Sequence, residues 1–143
     1  MSDQQMPKVC FLIDDDPDDQ EIFSLALEKV TPRVTCQIAS DCQEALALLA
    51  PERRFIPDCI FLDLNMPRMN GKQCLKEIRR LPHLNSVPVI MYSTSLIDSD
   101  IYELRQLGAM DFLTKPNNIS TLSRVLSHFF KTNKLSAISS DRD

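Results

Sequence analysis

Five short apolar runs, each followed by a stretch of helical periodicity, constrain this chain more than any other feature in it. Val9-Cys10-Phe11-Leu12-Ile13 stops at acidic residues and a proline, and residues 17–30 then place Ile22, Phe23, Ala26, Leu27 and Val30 at helical spacing. The second pair is residues 33–39 and 41–50, closed by Pro51. The third is Cys59-Ile60-Phe61-Leu62 with residues 71–80, and the fourth is residues 87–92 with 99–107, stopped by Gly108. The last pair is residues 110–113 and 119–131, whose Leu122, Val125, Leu126, Phe129 and Phe130 share one side. Strict strand–helix alternation predicts a parallel sheet with helices on both faces, because a crossover returning to a parallel strand must pass over a face. The runs are apolar throughout rather than alternating, as strands covered on both faces should be.

A chain of 143 residues fits one domain, with an expected core over about 8–131 and flexible tails at 1–7 and 132–143. The net charge of −4, without a basic cluster, argues against a nucleic-acid surface, which needs grouped Lys or Arg. No apolar stretch approaches the roughly 20 residues of a membrane span, and MSDQQMPK has no apolar run of a signal peptide behind it. Cys10, Cys36, Cys42, Cys59 and Cys74 form no C-x-x-C pair, and the number is odd. They are therefore expected to be reduced core residues in a cytoplasmic protein.

In an open α/β sheet the functional residues lie beyond the carboxyl ends of the strands. Asp14, Asp15 and Asp16 follow the first run, Asp63 the third, Ser93 and Thr94 the fourth, and Thr114, Lys115 and Pro116 the fifth. Neighbouring strand ends lie about 4.8 Å apart, so carboxylates there repel unless a cation or a proton relieves them. Carboxylates plus a carbonyl suit Mg²⁺, which retains positions for a phosphate. Taken singly, the residues read differently. Asp16 is a natural N-cap with Pro17 at the first helical position, and Asp18 and Asp19 suit the positive end of the helix dipole. A lone Asp after a strand is a turn former, and a lone Lys before Pro is a solvated loop residue. Joint placement on four strand ends is what favours chemistry.

Four stretches in order carry a family resemblance: FLIDDDPDD at 11–19, DCIFLDLNMPRMNG at 58–71, VPVIMYSTS at 87–95 and GAMDFLTKP at 108–116. With them the chain closely resembles the receiver domain of bacterial response regulators. The resemblance implies a flavodoxin-like (βα)5 sheet of strand order 2-1-3-4-5. It implies Asp63 as phosphoacceptor, with Mg²⁺ or Mn²⁺ held by Asp15 directly, Asp14 through water, Asp63, and the backbone carbonyl of Asn65. It implies Lys115, Ser93 and Thr94 as contacts of the phosphoryl group, with many members carrying Ala at the Thr94 position. Phe112 matches the aromatic switch position, and a cis peptide before Pro116 is expected. The donor would be a sensor histidine kinase or a histidine phosphotransfer protein. The downstream partner would dock on the face of helix 4, strand 5 and helix 5. No activity beyond self-phosphorylation and autodephosphorylation is implied.

Residues 132–143 leave no room for an output domain, so a stand-alone regulator or phosphorelay shuttle that signals by docking is expected. An aspartate-nucleophile phosphohydrolase would need an acid where Asn65 stands in Asp63-Leu64-Asn65, and a cap domain besides. Two glycines, Gly71 and Gly108, cannot build a phosphate-cradling glycine loop. A receiver-like module that binds partners without phosphorylation would lack the Asp, the Lys or the hydroxyl, and all three are present.

Overall fold

The computed structural model describes residues 8–30, 34–132 and 134–135. Five parallel strands, β1 (Lys8–Ile13), β2 (Val34–Ala39), β3 (Cys59–Asp63), β4 (Val89–Ser93) and β5 (Asp111–Thr114), form one sheet in the order β2-β1-β3-β4-β5. The helices are α1 (Pro17–Val30), α2 (Cys42–Leu49), α3 (Gly71–Arg79), α4 (Asp98–Gln106) and α5 (Ile119–Thr132). Residue 33, expected to open β2, lies outside the described residues, as do residues 1–7 and 136–143 of the expected tails.

The period-2 geometry of the strands splits each apolar run between two cores. Phe11, Ile13, Ile60, Leu62, Val89 and Met91 pack with α2, α3 and α4. Cys10, Leu12, Cys59, Phe61, Ile90 and Tyr92 pack with α1 and α5. Buried on both faces, β3 and β4 have every residue buried, which is why their sequences show no alternation. The second core also holds Leu135, which is 1% exposed, so packing continues past the end expected for it at 131.

Helix starts follow capping chemistry. Asp41 accepts from Glu44 N at 2.7 Å, and Asn70 and Gln73 form a reciprocal capping box. Gly108, at φ 111, ends α4 in a conformation costly for any residue with a Cβ. Gly71 is required for another reason: a Cβ there would collide with the Asp63 carbonyl oxygen and lie 2.6 Å from Leu64 Cα. That close approach lets α3 begin directly behind the loop that follows Asp63.

Two expectations fail. Cys42 and Cys74 are joined by a disulfide between α2 and α3, whereas Cys10, Cys36 and Cys59 are free. The two helices lie side by side and both cysteines occupy their buried faces, with Cα atoms 5.8 Å apart, within the range a bridge requires. The bond from Lys115 to Pro116 is trans. Trans is the favoured isomer of an X–Pro bond by about 0.5–1 kcal/mol. It coexists here with Lys115 N donating to Ser93 O at 2.7 Å, so the ladder between β4 and β5 runs up to the proline. Among the described residues no helix is long and apolar enough to cross a membrane.

Candidate functional site

Three strand ends deliver the acidic residues and the lysine to one edge of the sheet. Asp14 continues β1 and donates its N–H to Ala39 O at 3.1 Å, which fixes the chain as it leaves the strand. Gln20 of α1 reinforces this, donating to Asp14 O at 2.6 Å and to Ser40 Oγ at 3.1 Å. Asp63 ends β3, beside Tyr92 of β4. Carboxylate oxygens of Asp14, Asp15 and Asp63 all lie within 4.8 Å of one another. Asp14 is fully buried, Asp63 is 5% exposed and Asp15 faces solvent.

Lys115 reaches into this cluster from the end of β5. Its Nζ lies 2.8 Å from Asp14 Oδ2, 2.8 Å from Asp19 Oδ2 and 3.7 Å from Asp63 Oδ2. It also sits 5.2 Å above the Tyr92 ring. Burial alone would discourage the ammonium. The close oxygens of Asp14 and Asp19, each 2.8 Å away, and the charges of Asp14 and Asp63 more than offset it and hold the Lys115 pKa above its ordinary value. Asp63 moves the other way from an ordinary surface carboxylate. Burial first, and then the charge of Asp14, raise it to about 7, against the pull of Lys115 and of the Asn65 N–H, which donates to Asp63 Oδ1 at 3.2 Å. Asp14 is raised as well, mainly by burial, which Lys115 and the Asp16 N–H offset only in part.

The cluster fits a hard divalent cation. Asp14 Oδ2 is buried and accepts no hydrogen bond, because the nearby ammonium approaches as an ion pair outside hydrogen-bond geometry. A buried lone pair without a hydrogen-bond donor, amid three converging carboxylates, is the donor set that Mg²⁺ or Mn²⁺ takes.

Ser93 closes the neighbouring side. It is fully buried, donates from Oγ to Ser95 O at 3.1 Å and accepts from Asn65 Nδ2 at 3.1 Å. Asn65 therefore bridges the acidic residue and the hydroxyl, one N–H to each. Phe112 pairs with Met91, so it points to the same side of the sheet as Ser93, two residues further along β4. Its ring is half-buried, with Arg105 Cζ 4.9 Å from the ring centre. Thr94 is exposed next to Ser93.

The acidic trio, Lys115, Ser93 and Asn65 thus meet as the sequence predicts, while Phe112 and Thr94 lie to one side. Asp16 is the N-cap of α1, accepting from Asp18 N at 2.8 Å and Asp19 N at 3.2 Å. Two participants escape a sequence reading. Asp19 reads as a helix-start carboxylate yet bonds a lysine 96 positions away. Gln20 carries no motif at all.

The fold is a flavodoxin-like doubly wound α/β sheet with its polar cluster at the carboxyl edge. The family described as "Response regulator receiver domain" matches residues 10–127, and the chain belongs to that family. Among curated relatives, Response regulator Rcp1 of Synechocystis sp. is 30% identical over 131 residues, covering 88% of this chain and 89% of that protein. Protein PilH of Pseudomonas aeruginosa is 28% identical over 116 residues, covering 81% and 92%. Among solved structures, the Mn²⁺-bound form of Rcp1 superposes with TM-score 0.76 at 29% identity, covering 88% of this chain and 94% of that one. The phosphorylated cyanobacterial phytochrome response regulator RcpA gives TM-score 0.78 at 30% identity, covering 90% and 96%.

Proposed function

We propose that this chain accepts a phosphoryl group on Asp63, with Mg²⁺ or Mn²⁺ bound, and signals in a two-component phosphorelay by docking to a partner once phosphorylated. The observation that carries the reading is the meeting of the Asp14, Asp15 and Asp63 oxygens within 4.8 Å, with Lys115 Nζ 3.7 Å from the acceptor carboxylate. Asp14, Asp15, Asp63 and the Asn65 carbonyl would hold the ion, whose charge favours the ionised carboxylate and the approach of a phosphate. The Mn²⁺-bound form of Rcp1 and the phosphorylated RcpA support both halves of this reading by similarity.

The chain's own residues do the rest. An Asp63 carboxylate oxygen forms the new bond to phosphorus while the bond to the donor imidazole nitrogen of a kinase or phosphotransfer protein breaks. Lys115 faces the charge gathering on the equatorial oxygens. Ser93 must give up Ser95 O to donate to a phosphoryl oxygen, and space opens behind it for Phe112 to turn inward. Ile97 at the start of α4 and Tyr102 within it are 59% and 70% exposed, with Met110 just ahead of β5, which suits a partner docking on the α4, β5 and α5 face.

The test is to incubate the folded protein with Mg²⁺ and a small acyl phosphate. An adduct of about 80 Da, the mass of a phosphoryl group replacing hydrogen, should form in the wild type and not in Asp63→Asn. An unmodified wild type overturns the proposal.

A further inference from the structure

We infer that Asp19 is a positioning residue that anchors Lys115 at the phosphoryl site, an inference that rests on the phosphoacceptor reading of Asp63. An ammonium only 8% exposed needs an anionic partner, since a buried charge left unpaired is costly. Lys115 has three carboxylates within 3.7 Å, but they differ in kind. Asp14 and Asp63 belong to the trio whose oxygens converge, and Asp19 does not. Of the three, Asp19 alone accepts from Nζ with hydrogen-bond geometry, at 2.8 Å. Its backbone is pinned in the first turn of α1, where its N–H donates to the Asp16 N-cap at 3.2 Å.

The consequence follows from charge. Any cation at the trio competes with Lys115 for the Asp14 and Asp63 carboxylates and repels the ammonium besides. Asp19 is the partner that remains, so it keeps Nζ beside Asp63 when the other two are engaged. An ammonium has three donors, which leaves one or two for phosphoryl oxygens with Asp19 still bound. Asp19 therefore acts through Lys115 and touches neither the phosphorus nor the leaving group.

Two readouts test this. In the metal-free protein, the Lys115 ammonium should give a resolved nitrogen–proton NMR signal in the wild type. That signal should broaden or vanish in Asp19→Asn while the backbone spectrum stays native. With Mg²⁺ and saturating acyl phosphate, Asp19→Asn should be phosphorylated roughly three- to tenfold more slowly, the effect of weakening one partly exposed charged hydrogen bond. Asp19→Glu should recover most of the rate. In a Lys115→Ala background, Asp19→Asn should change the rate by less than about twofold, since an anchor has no effect once its lysine is gone. An unchanged or faster rate in Asp19→Asn, or an equal loss with and without Lys115, overturns the inference. If the wild type takes no phosphoryl group, the acceptor reading fails, and the metal-free NMR signal still judges the Asp19 anchor by itself.

Discussion

Removing the charge of Asp63 should stabilise the metal-free protein above neutral pH. In the unfolded chain this carboxyl ionises near 3.8, whereas in the fold burial and Asp14 raise it to about 7. The folded state therefore holds a proton that the unfolded state has released between pH about 4 and about 7. Stability falls as pH rises through that window and levels off above it. At 1.36 kcal/mol per pH unit, moving from 3.8 to about 7 corresponds to about 4 kcal/mol at pH 8. Asp63→Asn resembles the protonated carboxyl in shape and cannot ionise, so it should gain about 2–4 kcal/mol over wild type at pH 8 and almost nothing at pH 4. Urea unfolding followed by circular dichroism, without metal and at a series of pH values, reads the difference. Mg²⁺ should restore the wild type towards the variant at pH 8, because it supplies the missing positive charge. Parallel pH profiles, or a variant less stable than wild type at pH 8, would refute the electrostatic account of the cluster.

Lys115→Met should destabilise the metal-free protein by about 3–5 kcal/mol at pH 8, because it leaves Asp14, Asp63 and Asp19 without their shared cation; chemical unfolding measures this. Gly71→Ala should cost about 1–3 kcal/mol by the same assay, since the methyl meets backbone of Asp63 and Leu64 that has nowhere to move. It should also slow phosphorylation, because the strain falls on the acceptor's own carbonyl. Thiol counting on denatured, unreduced protein should find the free Cys10, Cys36 and Cys59, with Cys42 and Cys74 appearing after reduction. All five thiols reacting before reduction would contradict the bridge between α2 and α3.

The sheet was legible because β3 and β4 are covered on both faces, so their sequences need no polar residues at all. The division of the acidic segment was legible too. Capping chemistry claims Asp16, and strand continuation claims Asp14. What stayed hidden depends on contacts between distant segments. Nothing local in Asp19 announces Lys115, and neither Cys42 nor Cys74 indicates that α2 and α3 lie side by side. Leu135 stands in a mostly polar stretch, with no helical or strand periodicity in the sequence to mark it as packed. The isomer before Pro116 followed from the resemblance rather than from the residues, since a Lys-Pro pair accepts either form within about 1 kcal/mol. Ser93 was readable as a site residue, but its present occupation by Ser95 O and Asn65 Nδ2 was not.

The central claim is that Asp63 is the atom-level acceptor, and direct localisation tests it best. The protein is phosphorylated with Mg²⁺ and a small acyl phosphate, treated with borohydride, digested and mapped by mass spectrometry. An aspartyl phosphate is an acyl phosphate, so borohydride reduces that one carboxyl to a primary alcohol and leaves the other aspartates unchanged. The account predicts homoserine at position 63, with Asp14, Asp15 and Asp19 intact. Reduction at any of those three instead, or no reduced residue in a protein that is folded and metal-loaded, would contradict it.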